Sequence, residues 1–536
     1  MKIQKQNVFD ADDALLALIE AQTANQSGAF RQRDFVAPLV RFCSNGDYKA
    51  QLGIVFGLRS TGKTVGMLQA AEELINSGQK VAYARFNYET TGVGTVNAEI
   101  IELAERGYTH FFLDEAPYLN GFLNESAEWA DRFVTKYRIK IVISGTDSFE
   151  LWLAMNRALY HRSFTLSTNR NSFPEYKRVQ GGSFDDYKTH GGVFLASSEE
   201  TLAELAPGGR ASKNIAVENF IENAVVDNLI HTLEHCAEYP GSNNYYTDWL
   251  AAIDRQVIFK GVISILKATI EPFIKKNFVQ NAGKKNIPNL GPIISNWNGL
   301  EKEEVKKRIA DSIGIYKNSI KIESPIGSID ALISFLIKVG CLYESFTAVS
   351  DLAEQQRTLY FAHNALMNYA IEETKRGIFT IPDIDRAAFV KSLEQAAEGA
   401  IIENIVYAHL LLSVGKDEKI FRYRDAETRE VDAVLINRKD KYVRLIEIKS
   451  KSKVDSQRVF EKDARHLFDG IVTKNIGIDS EYAVQRILVF DGKTGAIPRQ
   501  QDVLLLVSIE DVLTHYKELG RYLDGLDKTA SQSPHS

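Results

Sequence analysis

Cysteine is scarce in this chain: Cys43, Cys236 and Cys341 are the three among 536 residues, and they stand far apart. An odd, scattered set argues against a disulfide framework or a thiolate metal cluster, so three small buried thiols are expected. Long apolar runs are missing too. None approaches the ~18 uncharged residues of a membrane helix, so no membrane partner is expected. Nor does one charge dominate, with 64 Lys and Arg against 70 Asp and Glu for a formal net charge of −6. That balance excludes a uniformly basic nucleic-acid coat protein and makes any polyanion site a local one. The opening residues, MKIQKQNVFDADDALL, show no basic segment leading into an apolar run and a small-residue cleavage site, so a cytoplasmic location is expected. What remains, 44% hydrophobic and 25% charged residues, is the make-up of an ordinary globular protein. Its length suits about three or four domains.

Residues 51–56, QLGIVF, form a short apolar run that ends in Gly57-Leu58-Arg59-Ser60-Thr61-Gly62-Lys63-Thr64, and a helical pattern follows to about Leu74. VAYARF (81–86), HFFLDE (110–115) and KIVISGT (140–146) read as buried strands separated by helical stretches such as 97–106 and 122–137. This alternation points to a parallel sheet with crossover helices. A helical pattern covers 201–260. Further on, 303–315 and 327–340 read as helices and 341–346 and 357–362 as strands, an order resembling a winged helix. A helix at about 389–414 then precedes strands at 419–424, 430–436, 442–450 and 486–492, the layout of a small nuclease-like α/β domain. The expected domains are a core at 1–180, a helical lid or linker at 181–260, a basic winged-helix-like domain at 261–370, a nuclease-like domain at 371–525 and a flexible tail at 526–536.

GLRSTGKT fits G-x-x-x-x-G-K-[ST] and sits where that motif requires, after a strand and before a helix. Gly57 and Gly62 let the chain turn tightly, so that successive N–H groups between Leu58 and Thr64 face a β-phosphate. The following helix N-terminus adds its partial positive charge. In such a loop Lys63 reaches the β/γ oxygens of ATP and the Thr64 hydroxyl ligates Mg2+. Asp114, at the end of an apolar strand, is placed to complete the metal shell, and Glu115 to polarise the attacking water. Ser144, at the tip of KIVISGT, and Thr146 either contact the γ-phosphate or the water, or cap the next helix. A cation on the developing phosphate charge is to be sought among Arg157, Arg162 and Arg170, acting in cis or from a neighbouring subunit, and spacing does not choose among them.

The C-terminal part holds a second constellation. Asp432 is followed, after 14 intervening residues, by Glu447-Ile448-Lys449. On adjacent strands this D…E-x-K spacing gathers two carboxylates and an ammonium at one sheet edge, because residues i and i+2 share a face. Two carboxylates can hold one or two divalent metals, Mg2+ or Mn2+, that generate hydroxide, and Glu403 on the preceding helix is a third candidate ligand. Between 262 and 322, eleven Lys and Arg face five acids, a local excess that points to DNA.

The motif series as a whole resembles prokaryotic AAA+ ATPases whose chains end in a restriction-endonuclease-like domain of unknown function. GLRSTGKT, FFLDEAPY and VISGTDSF match the family pattern, and SFPEY (172–176) is a looser form of its "P-L-S-F-x-E-[FY]" segment. THGGVF (189–194), RTLYFAHNAL and EGAIIENIV resemble its later segments. His161-Arg162 stands where Gly-Arg is usual, and the resemblance implies that Arg162 is the phosphate-sensing arginine. The expected fold class is therefore α/β: a P-loop NTPase (AAA+) parallel sheet, a winged-helix-like domain and a restriction-endonuclease-like α/β domain. The expected activity is ATP hydrolysis coupled to nucleic-acid engagement, by a possible homo-oligomer. The alternatives are a slow ATP-dependent regulatory switch with a catalytically silent nuclease-like module, and an ATPase-controlled defence or toxin-type DNA nuclease.

Overall fold

The computed structural model describes residues 8–25, 28–29, 31–45, 52–59, 61–86, 92–122, 129–146, 151, 162–168, 171–191, 213–230, 255–274, 329–378, 386–425, 430–450, 464–499 and 502–532. Two sheets organise them. The first has β1 (Asp10–Ala11), β2 (Leu52–Phe56), β3 (Val81–Arg85), β4 (His110–Asp114), β5 (Lys140–Gly145) and β6 (Ser163–Ser167) in the order β1-β3-β4-β5-β2-β6. All pairs are parallel except β1 with β3. Strands β2 to β5 are buried almost throughout, as a parallel sheet covered on both faces demands. Crossovers α1 (Asp12–Thr23), α2 (Val36–Ser44), α3 (Lys63–Asn76) and α4 (Val93–Glu105) supply that cover. β6 has no counterpart in the sequence reading, because SFTLS is half-exposed and too polar to read as a core strand. Strand β2 lies between β5 and β6, so the crevice at its carboxyl end opens beside the tip of β5.

The second sheet comprises β7 (Leu342–Val349), β8 (Gln355–Phe361), β9 (Glu418–Arg424), β10 (Glu430–Asn437), β11 (Tyr442–Lys449), β12 (Ala483–Phe490), β13 (Gly495–Arg499) and β14 (Asp502–Ser508), ordered β8-β7-β9-β10-β11-β12-β14-β13. The hairpin β7–β8, expected as the wing of a winged helix, instead forms one margin of this sheet: β7 pairs in parallel with β9, Arg422 opposite Thr347. Its backbone edge is taken by β9, so the hairpin does not stand free. The expected helix at 303–315 and most of the basic stretch lie outside the described residues. Lys267 falls within a helix, Arg255–Ile274, which shares one apolar core with Ile221, Val225, Leu332, Leu336, Leu366 and Leu393. The chain end also departs from expectation. A helix spans Leu519–Gln532 where a tail was expected from 526, because Leu519 and Leu523 are buried against the second sheet.

A long helix, Arg386–Ser413, joins the two halves. Its Asn404 side chain accepts from Phe361 N at 2.8 Å and donates to Phe361 O at 3.0 Å, anchoring the helix to β8. One turn and a half further on, His409 Nε2 accepts the Phe173 N–H at 3.1 Å, while Nδ1 lies 2.8 Å from Ile405 O. The ring is therefore the neutral tautomer with its proton on Nδ1. Tyr187 and Tyr516 meet it edge-on at 6.0 and 5.4 Å. Burial lowers its pKa from 6.5 to about 4. Unfolded chains take up this proton below 6.5 and the folded chain does not, so stability falls as pH drops from about 6.5 toward 4. In urea unfolding, the wild type is expected to lose about 2–3 kcal/mol more than His409→Gln between pH 7 and 4.5. Equal losses would mean that the ring does not hold this junction as a neutral acceptor.

Candidate active site

The loop after β2 closes into α3 through Gly62, whose φ of 79° is a left-handed conformation that favours glycine. Lys63 is buried at the start of α3, and its Nζ donates to Gly57 O at 2.9 Å and Leu58 O at 3.0 Å. Burial lowers the Lys63 pKa, while Glu115 and Asp114 oppose that shift. Thr61 Oγ1 donates to Leu58 O at 2.7 Å. Leu58 belongs to the helical core of the middle segment, so one wall of the loop is fixed from outside the first sheet. Arg59 is exposed, and Ser60 lies outside the described residues.

Asp114, at the carboxyl end of β4, is 0% exposed. Its Oδ2 accepts from Thr64 Oγ1 at 2.7 Å and from Tyr83 OH at 2.8 Å, and its Oδ1 accepts from Ser144 Oγ. Burial and the neighbouring Asp114 push the Tyr83 phenol upward, so it stays a donor. Arg85, opposite Asp114 in the strand register, brings Nε to 4.0 Å and is 56% exposed at the crevice. A hydroxyl and a carboxylate oxygen in contact at the loop mouth are the hard donor set that Mg2+ prefers, so Thr64 and Asp114 fit that ion.

Glu115 follows with φ 57°, ψ 40°, a left-handed conformation rare outside glycine and frequent at working sites. Its carboxylate accepts from Thr146 N at 2.8 Å and Thr146 Oγ1 at 2.6 Å. Thr146 O in turn accepts from Asn228 Nδ2, on the helical segment 213–230. Ser144 and Thr146 thus meet the two acids. Arg162 is elsewhere: its carbonyl accepts Leu52 N at 2.8 Å at the amino ends of β2 and β6. The loop follows the carboxyl end of β2, roughly 15 Å away at about 3.3 Å per residue. Arg162 therefore does not reach a phosphate held by its own chain. Arg157 and Arg170 lie outside the described residues. Sequence reasoning missed Tyr83, Arg85 and Asn228. The only signal for the first two was a strand, VAYAR, carrying polar groups at i and i+2.

The second constellation does gather, with the protein's own cations inside it. Asp432 Oδ2 accepts Ile448 N at 2.8 Å. Arg422, on β9, sets Nη1 2.5 Å from Glu403 and Nη2 3.1 Å from Glu430 and 3.4 Å from Asp432. Glu447 contacts Lys449, and His466 Nε2 lies 3.4 Å from its other oxygen. Burial, then Glu447 and Glu403, push the Asp432 carboxyl well up. Among the described residues no group of three or more His, Cys, Asp or Glu is arranged to hold a metal ion. With a guanidinium shared by Glu403 and Asp432, these residues do not fit the expected second divalent metal.

Residues 49–177 match the AAA domain family model. This is the segment that carries β2 to β6 and the phosphate loop, so an AAA domain is present there. Residues 398–476 match a Domain of unknown function (DUF4143), covering the end of the long helix and strands β9 to β11. A search of curated proteins finds no match. Among solved structures, AMPPCP-bound DnaA from Aquifex aeolicus aligns over 59% of this chain and 91% of its own at 13% identity, with a TM-score of 0.22. PCH-2 from C. elegans aligns over 57% and 65% at 15% identity, also with a TM-score of 0.22. At those scores neither alignment carries an argument. Among the described residues no helix is long and apolar enough to cross a membrane.

Arg422→Ala leaves three carboxylates facing one another and is expected to destabilise the chain by about 3–5 kcal/mol. Added Mn2+ should raise the melting temperature of this variant by more than that of the wild type, which keeps Arg422 in place. A wild type equally stabilised by Mn2+ would show that Arg422 does not take the cation's place.

Proposed function

We propose that this protein hydrolyses Mg2+-ATP at the loop Gly57–Thr64 and uses the nucleotide cycle to control how the basic stretch at 262–322 and the C-terminal domain engage nucleic acid without cutting it. The observation that carries the ATPase reading is the placement of Glu115: one residue beyond a buried Asp114, oriented by Thr146, at the mouth of the loop that contains Lys63. Loop amides and Lys63 bind the β- and γ-phosphates. Glu115 orients the attacking water and accepts its proton, and Ser144 and Tyr83 hold Asp114 in place. When bound, Mg2+ held by Thr64 and Asp114 would neutralise charge on the phosphate oxygens. Arg162 stands away from its own loop, which supports a role at the site of a neighbouring copy. The Arg422 clamp supports the non-cleaving reading, and the eleven basic residues against five acids at 262–322 support the polyanion contact.

Phosphate release is expected to fall at least 100-fold in Lys63→Ala and in Glu115→Gln, with nucleotide binding lost in the first and kept in the second. Mixing Glu115→Gln with Arg162→Ala should restore part of the activity if copies share sites. Wild-type turnover in both loop variants sinks the ATPase reading. For nucleic acid, duplex DNA affinity should drop steeply between 50 and 200 mM salt, by roughly a hundredfold or more, as counterions are released. Absent or salt-insensitive binding would contradict the polyanion contact.

A further inference from the structure

The SFPEY segment has no part in the phosphate chemistry, yet its glutamate is among the most buried charges in the chain. The segment opens a helix, Phe173–Gln180, capped by Ser172, whose Oγ accepts Glu175 N at 3.4 Å. Glu175 is 2% exposed, and Arg33, from the stretch before α2, is 6% exposed. Glu175 Oε1 lies 2.5 Å from Arg33 Nε and accepts Asp34 N at 2.7 Å, while Oε2 lies 3.4 Å from Arg33 Nη2. The same guanidinium donates through Nη1 to Thr61 O, inside the phosphate loop, and through Nη2 to Thr168 O at 3.3 Å, just past β6. One planar fork thus spans the loop, the end of β6 and the SFPEY helix.

In a trans peptide the carbonyl of one residue and the N–H of the next point in opposite directions. Holding Thr61 O against Arg33 therefore turns the Gly62 N–H away from Arg33. We propose that Arg33 and Glu175 are positioning residues for phosphate binding: the pair fixes the Thr61–Gly62 peptide so that the Gly62 amide faces the bound phosphate. Arginine suits this task because its donors lie in a fixed fork that meets several acceptors at once, which the point charge of lysine does not. The pair also stands at a junction. Phe173 and Tyr176, on the same helix, lie in the core of the second sheet with Ile402, Ile405 and Leu513. Asp34, next to Arg33, contacts Arg178 and the C-terminal Lys517, each at 2.5 Å. The loop peptide and the docking of the C-terminal half are thereby held by one cluster, and a shift in either moves the other by linkage.

This proposal rests on the ATP-site reading above and deepens it by naming the groups that shape the loop. The test uses the full chain as wild type, Arg33→Lys and Glu175→Gln. It measures melting temperature, affinity for AMPPNP with Mg2+, steady-state turnover, and hydrogen exchange of residues 402–413 with and without nucleotide. For Arg33→Lys we expect a nucleotide-free melting temperature within a few degrees of wild type, Kd and KM at least tenfold higher, kcat at saturation within about threefold, and loss of nucleotide-induced protection at 402–413. Glu175→Gln keeps the size and part of the hydrogen bonding, and is expected to give a smaller rise in Kd in the same direction, so it carries the test if Arg33→Lys does not fold. Wild-type Kd and protection in the folded variants would overturn the positioning role alone. A wild type that binds no nucleotide would overturn the ATP reading and this proposal together.

Discussion

A carboxylate taken fully out of water must be given hydrogen bonds at once, or it takes up a proton and stops being useful. Asp114 meets that demand with hydroxyls from three separate strands and helices: Thr64 on α3, Tyr83 on β3 and Ser144 on β5. Each donor comes from an element that must be in place for the contact to exist. The acid thereby records the assembly of the first sheet, with β3, β4 and β5 side by side and α3 rising from β2. The hydrogen bonds to Asp114 thus come from uncharged hydroxyls, while the Arg85 guanidinium stands 4.0 Å off at the crevice. Glu115, one residue on, is turned by its left-handed backbone toward Thr146, so two adjacent acids face different partners and serve different ends.

The second acidic cluster resolves the same problem in the opposite way. There the carboxylates of Glu403, Glu430 and Asp432 converge on the guanidinium of Arg422, and Glu447 on Lys449. Built-in cations stand where an added one would have to sit, although burial and the neighbouring acids still push the Asp432 carboxyl up. Two sites of similar residue type therefore differ in their hydrogen-bond donors: hydroxyls at Asp114 and a shared guanidinium at Asp432. At the second site the arginine occupies the space between its acids.

Between these sites the SFPEY helix is shared by both halves. Its glutamate belongs to the loop side through Arg33, and its aromatic residues belong to the core under the second sheet. Leu58 and Asn228 make a second bridge, from the loop and the tip of β5 to the helical middle. Linked at two such points, the AAA domain is tied to the helical middle and the second sheet through packed side chains.

The phosphate loop, the strand ending in Asp114-Glu115 and the tip bearing Ser144 and Thr146 were legible because each is a local pattern, with a few residues at fixed spacing beside an apolar run. Most strands of both sheets were legible for the same reason of periodicity, whereas helices such as Asp12–Thr23, Val36–Ser44 and Asn364–Ile378 were not read. The linear order left adjacency undetermined. That β3 lies against β4, bringing Tyr83 and Arg85 to Asp114, comes from sheet order. That the 342–361 hairpin joins β9 rather than standing as a wing is a pairing across more than fifty residues of sequence, and the meeting of Arg422 with Glu403 and Asp432 brings a helix and two strands to one point. Arg162 shows the converse, since its motif neighbourhood pointed to the phosphate while its place at the amino end of β6 sets it at the far side of the sheet. Residue types and short spacings alone located the phosphate loop and the acids beside it. Only the tertiary structure decided which charges meet, because contact between distant segments depends on sheet order and register, which no local pattern encodes.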